Sequence, residues 1–188
     1  MRPSRFVLIA LLAFAPALAI AAPPAWTVDK AVSKLGFASS VSGAPFAGVF
    51  RRWDAVIHFD PKDLAHSDVT ATIDVTSAFS GNPDRDTLLP DEDWFWTSHF
   101  PRATFVAKSF RATGAGRYEA AGVLTLRGVA KPLTLPFTLA ITGASAKMNA
   151  AVGLNRLAFG VGEGEWKATD TVPAAVTVTV DLTAHRAP

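Results

Sequence analysis

The densest group of titratable side chains falls between positions 84 and 93, where Asp84, Arg85, Asp86, Asp91, Glu92 and Asp93 crowd together. Carboxylates so close could supply the general acid and base that glycoside hydrolysis needs. A helix start explains them more simply, because carboxylates favour the positive end of the helix dipole and Arg85 offers a partner. His58, His66, His99 and His185 stand singly, without the i,i+4 or His-x-His spacing that metals use. No serine occupies a Gly-x-Ser-x-Gly elbow, and a chain without cysteine has no thiolate chemistry and no disulfide. Gly160-Val-Gly-Glu-Gly164 lacks the βαβ surroundings of a dinucleotide fingerprint and reads as a flexible hairpin. The residue types therefore point to a protein that is not an enzyme, requires no cofactor and holds no metal.

The elements that must position these residues divide into one irregular stretch and a set of strands. From Arg85 to Phe105 the alternation stops. Pro90 followed by Asp91, Glu92 and Asp93 predicts a helix start, with a short helical piece to about Trp96. Trp94, Phe95 and Trp96 are consecutive, and helical neighbours point about 100° apart, so three rings cannot share one face. The piece must be wedged between other elements, either as a core plug or as the lining of a cavity.

Elsewhere apolar residues recur at every second position. Val69, Ala71, Ile73 and Val75 alternate with Thr70, Thr72 and Asp74, and the same holds for Leu133 to Ile141 and Val176 to Leu182. One wet and one dry face indicate antiparallel sheet. Further strands are expected over 26–29, 34–40, 46–59, 103–112, 118–126 and 147–159, separated by turns such as Ser42-Gly43, Asp60-Pro61, Arg127-Gly128 and Gly143. This predicts an all-β fold, an antiparallel up-and-down barrel of about eight strands with a short helical insertion at the mouth. A two-sheet sandwich is the alternative, and it would leave two exposed edges.

Arg2 and Arg5 precede an apolar run from Phe6 to Ile20 that ends in small residues, the pattern of a secretory signal peptide over residues 1–21. A single domain over 22–188 follows, with no permanent membrane anchor, and the expected location is periplasmic. The formal charge of +2 falls to zero once Arg2 and Arg5 are removed, leaving sixteen basic and sixteen acidic residues. A neutral surface argues against nucleic acid as a partner, despite aromatics near Arg51, Arg52 and Arg111.

Several pieces together resemble the YceI-like family of secreted, lipocalin-like polyisoprenoid-binding proteins. They are Trp26-Thr-Val-Asp29, Ser33-Lys-Leu-Gly-Phe37, Gly48-Val-Phe50, Ile57-His-Phe-Asp60, Arg85-Asp86 with Leu89, and Asp93-Trp-Phe95. Phe100-Pro101, Phe105, Gly122 to Pro132, Arg156 before Phe159-Gly160, and Trp166 complete the set. The resemblance implies a barrel around an elongated apolar pocket that holds a polyisoprenoid, an isoprenoid quinone or another long-chain amphiphilic lipid. It implies a pocket lining or mouth built from Phe37, Phe50, Arg85, Asp86, Leu89, Trp94, Phe95, Phe105 and Trp166. Two positions depart from the family pattern: Ser33 or Ser39-Ser40 stands where many members have histidine, and Trp96 where they have aspartate. Alanines at 47, 71, 107 and 121 could leave volume for a ligand, although phenylalanines at 37, 50, 105 and 137 could equally fill the barrel. The expected function is periplasmic binding, carriage or storage of such a lipid; a non-catalytic accessory protein of a membrane redox complex or stress response, with a filled barrel, is the alternative. A homodimer is an assembly open to either.

Overall fold

A computed structural model describes residues 22–187. The signal peptide expected over residues 1–21 lies outside the described residues. Eleven strands form one antiparallel sheet that closes on itself. In chain order they are β1 (Ala25–Val28), β2 (Lys34–Val41), β3 (Ala44–Phe50), β4 (Trp53–His58), β5 (Asp68–Asp74), β6 (Ala78–Phe79), β7 (Arg102–Gly114), β8 (Arg117–Leu126), β9 (Val129–Thr142), β10 (Ser145–Asn155) and β11 (Ala175–Arg186). Three staves are broken in the middle. β1 and β2 both pair with β11, β3 and β4 run on from one another around Arg51 and Arg52, and β5 and β6 are separated by a 3-10 turn at Val75–Ser77. Joined across these breaks, the strands make a closed barrel of eight staves in up-and-down order. Closure removes the free edges that a sandwich would expose.

The predicted single strand over 46–59 is thus two pieces. At the break, Ser77 Oγ accepts from the Arg52 N–H at 2.9 Å, and the Arg52 Nε donates to Asp74 at 2.8 Å. Side-chain partners replace ladder bonds where the staves bend, so the backbone groups stay satisfied.

The helix also begins earlier than the acidic run suggests. It is α1 (Pro83–Leu88), with Asn82 as N-cap accepting from the Arg85 N–H at 2.9 Å and Pro83 in the first turn. Pro90 follows its end. From Asp91 to Phe100 the chain makes successive turns: Trp94 and Trp96 both donate their N–H to Asp91 O, and Trp96 takes a positive φ of 47°. Three consecutive rings are separated by turns because one helical face could not accommodate them.

Inward side chains come from the alternating positions. The register pairs Met148 with Leu139 on one side and Leu182 on the other, and Val152 with Val178, so the dry faces of β9, β10 and β11 coincide. Inside the wall, Phe37 is paired with Gly48, and a Cβ at Gly48 would lie 2.3 Å from the Phe37 ring. Glycine there lets the ring lie flat across the neighbouring strand.

Candidate ligand-binding site

The barrel interior holds a cavity of about 290 Å³. A water needs about 10–15 Å³ by this measure, so the space holds on the order of twenty atoms of that size. One side of the wall is well packed: Phe105, Leu124, Ile73 and Ala107 are buried. The other side is not. Leu133, Leu135, Met148, Val152, Val176 and Val178 point inward yet are only partly buried, because they face the void and not another side chain.

The two ends of the cavity are closed differently. At the end formed by the β7–β8 and β9–β10 turns, Phe59 meets Phe110, Tyr118 and Phe137 at ring distances of 5.4, 5.7 and 6.0 Å, and Tyr118 stacks on Phe137. Trp26 locks this cluster by donating its indole N–H to Phe59 O at 2.9 Å. The opposite end is covered by two loops, 80–101 and 156–174. Asp93 O accepts from the N–H groups of Gly162 and Glu163, Trp94 packs on Trp166 at 5.4 Å, and Arg127 donates to Glu92 O at 2.6 Å.

Of the nine residues singled out from sequence, Phe37, Phe50, Leu89, Trp94, Phe95 and Phe105 line the cavity. Phe50 stands between Phe37 at 5.2 Å and Phe95 at 6.0 Å, which links the strand wall to the turns after α1. Arg85, Asp86 and Trp166 stand outside this lining. Arg85 donates to Ser80 Oγ at 2.8 Å and lies 3.9 Å over the Phe46 ring. Asp86 accepts from the Ser80 hydroxyl and N–H at 2.6 and 2.7 Å. Burial pushes the Asp86 carboxyl up, but these bonds, the Gly81 N–H and the Arg85 charge outweigh it and hold it below the ordinary carboxylate value. The pair therefore anchors α1 to the barrel rim. Of the four alanines expected to leave volume, Ala71 faces the cavity, Ala107 is fully buried and outside its lining, and Ala47 and Ala121 are on the outer surface.

Arg156 is the residue that sequence reasoning left out of the site. It is 4% exposed and adjoins the cavity, and its five N–H groups donate to the carbonyls of Pro173, Val161, Gly162, Trp166 and Val172. Burial lowers its pKa, and Glu163 partly opposes that. One guanidinium thus fastens both ends of the 156–174 loop. The hairpin expected at Gly160–Gly164 is instead part of this fastened loop: Gly160 caps a 3-10 turn with φ of 68°, and a Cβ at Gly162 would collide with the Arg156 Nη1. The signal was in the alternation, since Val152 and Leu154 face inward and period two puts residue 156 on the same face.

Among the described residues, no three histidine or acidic side chains gather where they could hold a metal ion, and no helix is long and apolar enough to cross a membrane. A closed antiparallel barrel of eight staves around an apolar cavity defines the lipocalin-like class. Within that class the chain belongs to the YceI-like family, whose domain model matches residues 26–184. It is similar to the crystal structure of Burkholderia cenocepacia BcnA, with 35% identity and a TM-score of 0.80, covering 83% of this chain and 98% of that one. A UPF0312 protein of Pseudomonas syringae pv. tomato is 29% identical over 163 residues, 83% of this chain and 78% of the relative. Protein YceI of Escherichia coli O157:H7 is 38% identical over 88 residues, spanning 47% of this chain and 46% of that protein. A polyisoprenoid binding domain from Saccharophagus degradans shares the fold at a TM-score of 0.69 and 14% identity, covering 87% of this chain and 99% of that domain.

Proposed function

We propose that the chain is a periplasmic, non-catalytic binder of a lipid with a long apolar tail, a polyisoprenoid or isoprenoid quinone, which it carries or stores in the barrel interior. The observation that carries this reading is the wall of inward, half-buried aliphatic side chains on β9, β10 and β11 around a void. Leaving so much apolar surface uncovered forgoes stabilisation of about 25 cal/mol per Å², which an apolar guest would restore. A tail of about twenty carbons would nominally contribute about 16 kcal/mol before the cost of ordering it, ample for tight binding without any charged contact. The binding activity in the name of the Saccharophagus degradans domain is consistent with this ligand class. The signal-peptide pattern at 1–21 supports the periplasmic location.

The test is organic extraction of protein purified from its export compartment, followed by mass spectrometry. A stoichiometric prenyl lipid is expected, on a chain lacking its first 21 or so residues. Protein that emerges empty, and that takes up no prenyl lipid when offered one, would refute the proposal.

A further inference from the structure

Resting on this tail-binding reading, we infer that the cavity recognises hydrocarbon alone and accepts isoprenoid chains that carry no head group, terpene hydrocarbons, as well as it accepts lipids with one. Only apolar atoms face the cavity. Ser39, Arg156 and the indoles of Trp26, Trp53 and Trp94 are the side chains with polar atoms in its wall, and none of those atoms contributes surface to it. Ser39, Arg156 and the Trp26 N–H are committed elsewhere, Trp26 to Phe59 O at 2.9 Å. Ser39 donates to Ala175 O at 3.2 Å, and every N–H of Arg156 already has a carbonyl partner. The Trp94 indole N–H is buried without a partner, but it contributes no surface to the cavity. A quinone carbonyl or phosphate drawn inside would lose its water and find no donor, so a head group brings no gain from the interior. A chain without one loses nothing.

The experiment offers delipidated mature protein two radiolabelled probes from liposomes, squalene and a prenylated benzoquinone of matched chain length, and measures how each partitions. Retention of squalene within about tenfold of the quinone is expected. Retention of the quinone alone, or more than about tenfold better, overturns the inference while leaving tail binding intact. If neither probe is retained, the tail-binding reading fails and the inference with it. Trp94→Phe then examines the orphaned indole donor beside the cavity: whatever the variant does to the retention of either probe, the ratio of the two should not change. A selective loss of quinone would make the indole a head-group ligand and would also overturn the inference.

Discussion

The two ends of this barrel are closed by different physics. One end is closed by rings that belong to strands or sit directly beside them: Phe59 packs edge to face against Phe110, Tyr118 and Phe137, with the Trp26 indole tied to Phe59 O. The other is closed by two loops whose contacts are mostly single hydrogen bonds to backbone carbonyls, at Asp93, Glu92 and around Arg156. Ring packing is lost only when the strands separate, whereas a loop can open by breaking a few hydrogen bonds, each worth about 1 kcal/mol net. The ring end therefore sets stability, and, on the proposed lipid-binding function, the loop end is where a lipid would be exchanged.

The largest effect expected from this contrast is at the ring end. Phe59→Ala leaves a cavity between three other rings and should cost about 3–5 kcal/mol, measured as the loss in urea unfolding free energy. The rate of lipid exchange in the folded protein should change little. Rapid leakage with near-normal stability would reverse the roles of the two ends.

Next in size is Arg156→Lys. Lysine keeps the charge but offers three donors at one point in place of a planar fork of five, so at least two of the carbonyls of Pro173, Val161, Gly162, Trp166 and Val172 lose their partner. A loss of about 2–3 kcal/mol is expected, together with faster lipid exchange, because the fastening of the 156–174 loop is what weakens. Unchanged exchange at this loss of stability would show that the loop is not the gate.

Much of this contrast was legible in the sequence, and unevenly so. The alternation in β5, β9 and β11 was enough to define the staves and their inward faces, because a two-residue period survives any change of neighbour. Phe37, Phe50 and Phe105 are inward for the same reason. The loop end was read less well. Pro90-Asp-Glu-Asp carries the composition of a helix start, yet the helix is capped earlier, at Asn82 and Pro83, and the three rings after Asp93, which cannot share one helical face, fall on turns. Arg156 was overlooked as a site residue because an arginine at a strand end is ordinarily a surface residue. Its partners are backbone carbonyls, whose positions no side-chain pattern discloses.

A smaller effect follows from the anchor of α1. The Asp86 carboxyl is held below its ordinary value of 3.8 by Ser80, Gly81 and Arg85. A group whose folded pKa is depressed stabilises the fold fully above its unfolded pKa and loses that contribution as pH falls through the folded value. The window therefore lies below pH 3.8. Asp86 is only partly buried, so solvent screening limits the contribution to at most about 1 kcal/mol. Compared between pH 7 and pH 3, Asp86→Asn should lose less stability than the parent protein; an equal loss would mean that this anchor does not respond to acid.

The smallest effect is expected at Trp96, where two contributions oppose each other. The residue sits at φ 47°, a conformation disfavoured for most side chains and better tolerated by aspartate, whose short polar group can bond locally. Relief of that conformation should return about 1 kcal/mol. Against it stand the ring contacts with His99 at 4.2 Å and Phe100 at 5.6 Å, together worth about 0.5–1.5 kcal/mol. The Arg127 guanidinium lies 5.6 Å from the same ring, so an aspartate would keep a cationic neighbour. Trp96→Asp should consequently shift the unfolding free energy by less than about 1 kcal/mol in either direction. Trp96→Ala loses the ring contacts and gains no polar group that could bond locally, and should be the more damaging of the two. If alanine is tolerated better than aspartate, backbone conformation is not what this turn demands.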